Sequence, residues 1–421
     1  MKKICILTFG CKKNLADSER LLYKLEKEYQ FTEDPNSANI VIINTCGFID
    51  SAKVENLETI QHYGAQKKNN NKIEKLIVFG CLTQFYAEEV KAKFPEVDNI
   101  FGANNINEIA ELLLSEAMDS SEQRSYLTPL PTAYLKLSEG CNHKCSFCSI
   151  PVIRGKQISQ PIEKLVSEAK HIRELGYKEL ILIAQDTSNY GTDIYKEKRL
   201  PDLLEAVSGI DFEWIRLMYA YPTAFPEKVL HLIAEKENIC KYIDIPLQHI
   251  SDNILKSMNR GIDKLNTIKL VEKMRDIIPN LAIRSTFIVG YPNETQEEFN
   301  DLLKFLRDAE LDRVGAFTYS PQKFTSSYNI PDNIPEEVKA ERLEALMLQQ
   351  QKISLAKNKR NVGKSLKVLI ESQNEEYYIG RTQHDAPEID NEVLIIKKKM
   401  LKIGDFYDLR ITNYNEYQLF A

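Results

Sequence analysis

Three short runs near the start of the chain, residues 4–9, 40–44 and 76–79, are continuously apolar instead of alternating. Strands of that kind are covered on both faces, as in a parallel sheet between helix layers. Helix-length segments separate them, so residues 1–120 are predicted to form an open parallel α/β sheet. A polar stretch at 119–125, Asp119-Ser120-Ser121-Glu122-Gln123-Arg124-Ser125, marks a linker. A second strand–helix series follows, with strands at 133–137, 179–184, 214–219, 242–245, 283–289 and 314–319. Six such units predict a parallel sheet curling into a partial (β/α)6 barrel over 126–358, which includes most of a charged, Gln-rich linking helix at 335–359. From 359 to 421 the helical period is lost. Strand-like runs at 365–370, 377–381, 393–396 and 407–412 predict a small antiparallel β-barrel.

Composition narrows the picture. The 421 residues are 43% hydrophobic and 28% charged, as in ordinary globular proteins. No run approaches the roughly 18 apolar residues of a membrane span, and the opening Met1-Lys2-Lys3 with residues 4–9 is too short an apolar stretch for a secretion signal. A cytoplasmic protein with no membrane partner is expected. The formal charge of −6 argues against a broad electrostatic grip on nucleic acid. Eight cysteines in such a chain point to metal binding or catalysis, not disulfides.

The densest chemistry is Cys141-Asn142-His143-Lys144-Cys145-Ser146-Phe147-Cys148, on a loop after the first barrel strand. Thiolates are the usual ligands of cubane iron–sulfur clusters, and three of them leave one iron open to a small molecule. The alternatives are a structural zinc site, with His143 or a distant fourth ligand, and unligated thiols. Zinc ligands tend to come as two separated pairs, which this run does not. Polar residues also collect at the carboxyl ends of other barrel strands, where barrel enzymes keep their sites. They are Gln185-Asp186-Thr187-Ser188 after the second strand, Gln248-His249 after the fourth, and Gly290-Tyr291-Pro292 at the end of the fifth, which also carries Arg284 and Ser285 within it. Singly each is an ordinary cap or turn, but together they favour a pocket.

Cys11, Cys46 and Cys81 form no local motif, yet each closes or closely follows an apolar strand and touches a glycine: Gly10-Cys11, Cys46-Gly47, Gly80-Cys81. The carboxyl ends of parallel strands share one sheet edge, so the three thiols are predicted to converge there as a second three-thiolate set. The plain alternative is three buried cysteines packing as small hydrophobes. Cys5 and Cys240 lack such company and are assigned to the core.

The C-x-x-x-C-x-F-C run on a partial barrel resembles the radical S-adenosylmethionine superfamily. The resemblance implies a [4Fe–4S] cluster at Cys141, Cys145 and Cys148 whose open iron chelates S-adenosylmethionine. It further implies reductive cleavage to a 5′-deoxyadenosyl radical, with Phe147 beside the adenine; Gln185, Gln248 and Arg284 are the further candidate cofactor contacts. With the amino-terminal cysteines and a terminal block similar to a TRAM barrel, essentially the whole chain resembles the methylthiotransferases. Residues 44–53 (Asn44-Thr45-Cys46-Gly47-Phe48-Ile49-Asp50-Ser51-Ala52-Lys53), 245–249 (Ile245-Pro246-Leu247-Gln248-His249), and Arg381 with 385–390 (Asp385-Ala386-Pro387-Glu388-Ile389-Asp390) resemble the branch acting on small-subunit ribosomal protein S-twelve.

That likeness implies a second [4Fe–4S] cluster at Cys11, Cys46 and Cys81 that carries sulfur and accepts methyl. The methylthio group would pass to the β-carbon of an aspartate of the ribosomal protein, free or in its subunit. A reduced flavodoxin- or ferredoxin-type donor would supply electrons. The other branch, acting on a tRNA adenosine, is the nearer alternative, and a non-catalytic iron–sulfur or zinc module the farther. From Arg360 onward bases and acids are about balanced, so the terminal barrel lacks the basic character of a phosphate-gripping module. A basic ribosomal protein is the expected partner, with direct nucleic-acid binding not dominant. The chain departs from the family at Gln322-Lys323-Phe324, at Lys12 and at Gly102-Ala103-Asn104-Asn105.

Overall fold

The computed structural model describes residues 1–47, 50–70, 72–115, 123–398 and 400–421. Phe48 and Ile49, residues 119–122 of the linker, and Lys399 lie outside the described residues. The chain divides into two compact units. The first holds Met1–Pro129, Glu139–Asn142 and Ser149–Gln157.

Its sheet contains β1 (Lys2–Thr8), β2 (Tyr29–Phe31), β3 (Ile40–Thr45), β4 (Lys75–Gly80) and β5 (Asn99–Ile100), all parallel, in the order β2-β1-β3-β4-β5. The three long strands are those predicted. Alternate strand residues feed two cores. Ile4, Ile6, Ile42, Ile77 and Phe79 pack with Leu21 and Leu25 of α1 (Lys12–Leu25) and Ile109 of the helix Ile106–Leu113. Cys5, Val41, Ile43 and Val78 pack with Ile60 of α2 (Asp50–Asn70) and Val90 of the helix Thr83–Lys93. Two covered faces explain why these strands read as unbroken apolar runs. A short helix, Ile150–Arg154, also belongs to this unit.

The second unit opens with a six-stranded parallel sheet. Its strands are β6 (Thr132–Lys136), β7 (Glu179–Ile183), β8 (Trp214–Leu217), β9 (Ile239–Asp244), β10 (Ala282–Val289) and β11 (Arg313–Thr318), paired in chain order. A helix Glu336–Lys359 leads to a second sheet in the same unit. This sheet holds β12 (Ser365–Gln373), β13 (Tyr377–Thr382), β14 (Glu392–Ile396), β15 (Phe406–Arg410), β16 (Asn413–Tyr414) and β17 (Gln418–Phe420). Its pairings are antiparallel except one: β14 lies parallel to β17, because the last hairpin brings the chain end back alongside it.

The two sheets of this unit are joined by buried charge. Glu179, fully buried at the start of β7, receives Arg216 Nε at 3.0 Å and Arg381 Nη1 at 3.0 Å. Arg381 also donates to Glu371 at 2.8 Å. Arg313 grips Asp385 at 2.6 Å, and Asp390 accepts from the Tyr242 hydroxyl at 2.7 Å. Residues 385–390, known from sequence only as a family-like segment, thus bind barrel strands. Among the described residues no helix is long and apolar enough to cross a membrane.

Candidate iron–sulfur site

In the first unit, three strand ends carry the dispersed cysteines. Cys11 caps α1, its carbonyl accepting from Asn14 N at 2.9 Å. The β-ladder continues past β1 and β4, with Phe9 N on Asn44 O and Cys81 N on Thr45 O, both at 2.9 Å. Cys46 N donates to Asn56 Oδ1 of α2 at 3.1 Å. Gly10 stands at φ +86°, and a Cβ there would lie 2.6 Å from Cys46 Cβ and 2.8 Å from its Sγ. Glycine is therefore required twice over: by the left-handed backbone and by the closeness of the cysteine next door. Cys81 is buried, Cys46 half-buried and Cys11 exposed.

Around these thiols is a polar shell that sequence reasoning missed. Asn14 Nδ2 donates to Phe9 O at 2.9 Å and Thr45 O at 3.2 Å, tying two strand ends together. Its Oδ1 accepts from Arg154 Nη2 at 2.6 Å and stands 3.7 Å from Cys81 Sγ. Arg154 Nη1 meets Asp17 at 2.6 Å and Glu139 at 3.3 Å, and Nη2 approaches Cys81 Sγ at 3.5 Å. Burial pushes the Cys81 thiol up to about 11, against the pull of Arg154. Although Cys11 as a residue is exposed, desolvation at its sulfur opposes ionisation too, but Lys13, nearby amides and Arg154 together hold it below the ordinary thiol value. The signal for this shell was faint: Asn14 and Asp17 are polar positions on the face of α1 that meets the sheet.

Cys141 and the residues around it belong to the first unit, where Cys141 N donates to Gly155 O at 3.1 Å. In the second unit, Ser146 fixes the loop by donating to Ser257 O at 2.8 Å while its amide donates to Met258 O at 3.0 Å. Phe147 packs against Ile254, Met258, Tyr291 and Tyr319. Cys145 Sγ lies 3.4 Å from Arg260 Nη1 and 3.6 Å from the Tyr221 hydroxyl. The His143 ring stacks on Tyr221 at 3.6 Å between centroids, and its Nε2 lies 2.6 Å from Asp186 Oδ2. Asp186, from the polar run after β7, is locked by Ser188 Oγ at 2.6 Å.

The other strand-end candidates are dispersed. His249 is fully buried, with Nε2 3.2 Å from Glu294 and Nδ1 accepting from Ser251 N at 3.0 Å, a structural pairing. Gln248 takes φ +74° in a bridge to Phe287, and its Oε1 is buried without a hydrogen-bond partner. Arg284 pairs with Asp244 at 2.9 Å and Asp390 at 3.4 Å, and borders a cavity of about 190 Å³ with Tyr417 and Gln351. Gln185 lies two residues past the end of β7. Cys5 and Cys240 are buried, and burial raises each thiol to about 11.

Among the described residues no three Cys, His, Asp or Glu side chains gather as the ligands of one ion would. A cubane makes a different demand, since each thiolate takes its own iron. Cys11, Cys46 and Cys81 offer an all-sulfur set of donors at adjoining strand ends, each beside a glycine.

An open six-stranded parallel sheet with three cysteines on the loop after its first strand defines the radical S-adenosylmethionine class. Residues 135–306 match the Radical SAM superfamily, 3–102 match the uncharacterized protein family UPF0004, and 362–421 match the TRAM domain. The radical SAM assignment implies an iron–sulfur and S-adenosylmethionine site. Solved structures agree in fold: the radical S-adenosylmethionine methyltransferase TsrM from Kitasatospora setae superposes with a TM-score of 0.58 over 77% of each chain, at 12% identity. The chain is 46% identical to the ribosomal protein uS12 methylthiotransferase RimO of Chloroherpeton thalassium, covering 100% of this chain and 98% of that protein. It is 47% identical to the one of Chlorobium phaeobacteroides, over 99% and 95%. The chain belongs to the RimO family of radical SAM methylthiotransferases.

Proposed function

We propose that this chain transfers a methylthio group to the β-carbon of an aspartate in small-subunit ribosomal protein uS12. The observation that carries the reading is full-length similarity, at 43–47% identity, to proteins named as ribosomal protein uS12 methylthiotransferases. In this reading Cys141, Cys145 and Cys148 hold one [4Fe–4S] cluster and Cys11, Cys46 and Cys81 hold a second. When bound, the first cluster with S-adenosylmethionine supplies the one-electron chemistry that activates the C–H bond, and the second supplies the sulfur.

The protein's own part is positioning. Ser146 and Phe147 anchor the loop on 257–258 and its apolar neighbours, so the sulfur of Cys145 is presented to Arg260 and Tyr221 at fixed distances. Asn14 ties two of the strand ends that carry the other cysteines. Gln185, Gln248 and Phe147 remain the proposed S-adenosylmethionine contacts, whereas the Arg284 guanidinium is taken by Asp244 and Asp390; the buried unpaired Oε1 of Gln248 is a polar atom a ligand could satisfy. A reduced flavodoxin- or ferredoxin-type protein is the proposed electron donor.

Mass spectrometry of uS12 and of tRNA from a deletion strain tests the substrate. Loss of the methylthio mass from uS12 alone is expected; loss from a tRNA adenosine with uS12 unchanged would replace this reading with its tRNA counterpart.

A further inference from the structure

Arg154 ends the short helix that begins two residues after Cys148, so in sequence it belongs to the loop of the first cysteine set. Its guanidinium, however, is spent on the second set. It is 3% exposed; Nη1 is shared among Asp17, Glu139 and Ala103 O, and Nη2 reaches Asn14 Oδ1 and Cys81 Sγ. Only a planar fork can serve carboxylate, amide and sulfur at once; a lysine ammonium is a single point charge. Two carboxylates hold it protonated despite burial. The Gly102–Asn105 loop meets the same residue twice: Ala103 O accepts from Nη1 at 3.4 Å, and Asn104 Nδ2 donates to the backbone carbonyl of Arg154 at 3.3 Å.

We propose that Arg154 is a positioning residue for the cluster assigned to Cys11, Cys46 and Cys81, one whose N–H on Cys81 Sγ raises that cluster's reduction potential. The inference rests on the two-cluster reading above. A hydrogen bond to ligand sulfur favours the reduced, more negative state of a cluster, and here Asp17 and Glu139 offset the charge of the guanidinium, so the N–H itself carries the effect. Burial strengthens that bond by keeping competing water away. Asn14, held by the same guanidinium, sets the sheet edge on which Cys11 and Cys46 stand. One side chain therefore links the electronic state of the sulfur-carrying site to its geometry.

The test uses the full chain with Cys141, Cys145 and Cys148 all changed to alanine, reconstituted anaerobically and titrated electrochemically with detection by electron paramagnetic resonance. In that background, Arg154→Met is combined with Asp17→Asn so that no buried carboxylate is orphaned. The double change is expected to keep about four irons and to lower the midpoint so that the oxidised-to-reduced ratio at a fixed potential rises about tenfold, about 59 mV for one electron. Arg154→Lys should fall between the two, and decides alone if the double variant takes up no iron. An unchanged midpoint at equal iron content overturns the inference while leaving the two-cluster reading intact. A parent that takes up no iron overturns that reading, and the inference with it.

Discussion

The chain places its two cysteine sets by opposite routes. Cys141, Cys145 and Cys148 lie within eight residues, so the backbone of one loop sets most of their spacing. Cys11, Cys46 and Cys81 come from three strand ends, and nothing places them together until β1, β3 and β4 are paired. The local set needs little from the fold beyond an anchor at Ser146. The dispersed set needs the whole sheet edge, two glycines with positive φ, and a buried shell of Asn14, Asp17 and Arg154. Assembly over long sequence separations makes the second site the more fragile of the two.

The largest expected effect separates the two sets by chemistry. Cys145→Ala should abolish 5′-deoxyadenosine formation, whereas Cys46→Ala should abolish methylthio transfer yet leave part of that cleavage. Full methylthiolated product from Cys46→Ala, measured by mass spectrometry, would break the division. A second variant tests stability away from both sets: Arg381→Ala leaves Glu179 buried with one partner fewer and should cost about 3–5 kcal/mol in denaturant unfolding. Iron content should not change.

Gly10→Ala strikes the dispersed set alone. Its Cβ meets Cys46 at φ +86°, a cost of about 2–4 kcal/mol to the first unit. Reconstituted iron should drop from about eight to about four per chain, the loop set surviving. The smallest effect sharpens the contrast. Ser146→Ala removes one hydroxyl that donates to Ser257 O and should cost about 1 kcal/mol with iron retained. If Ser146→Ala lost its cluster while Gly10→Ala kept both, the ranking of fragility would be inverted.

The same contrast explains what could be read from the chain. The long strands were legible because burial on both faces leaves an unbroken apolar signature. The edge strands Tyr29–Phe31 and Asn99–Ile100 were not, since two or three residues carry no period. The loop cysteines announced themselves by spacing, and the dispersed ones only by a repeated setting beside glycine. Arg154 left no mark: its partners Asp17 and Asn14 are 137 and 140 residues away. Residues 381–390 stood out as a family-like segment, yet their role in gripping Glu179, Arg313 and Arg284 lies in pairings that only the folded chain creates.

The charged seam between the barrel and the last sheet has an evolutionary corollary. A domain attached by a smooth apolar contact can be exchanged or dropped at modest expense. Here Arg381 and residues 385–390 answer Glu179, Arg313 and Arg284, so a chain cut after Lys359 would take one counter-charge from each of them, leaving Glu179 only Arg216 and Arg284 only Asp244. The terminal sheet is thereby bound to its barrel by descent: the two can diverge together, but neither can readily be grafted elsewhere.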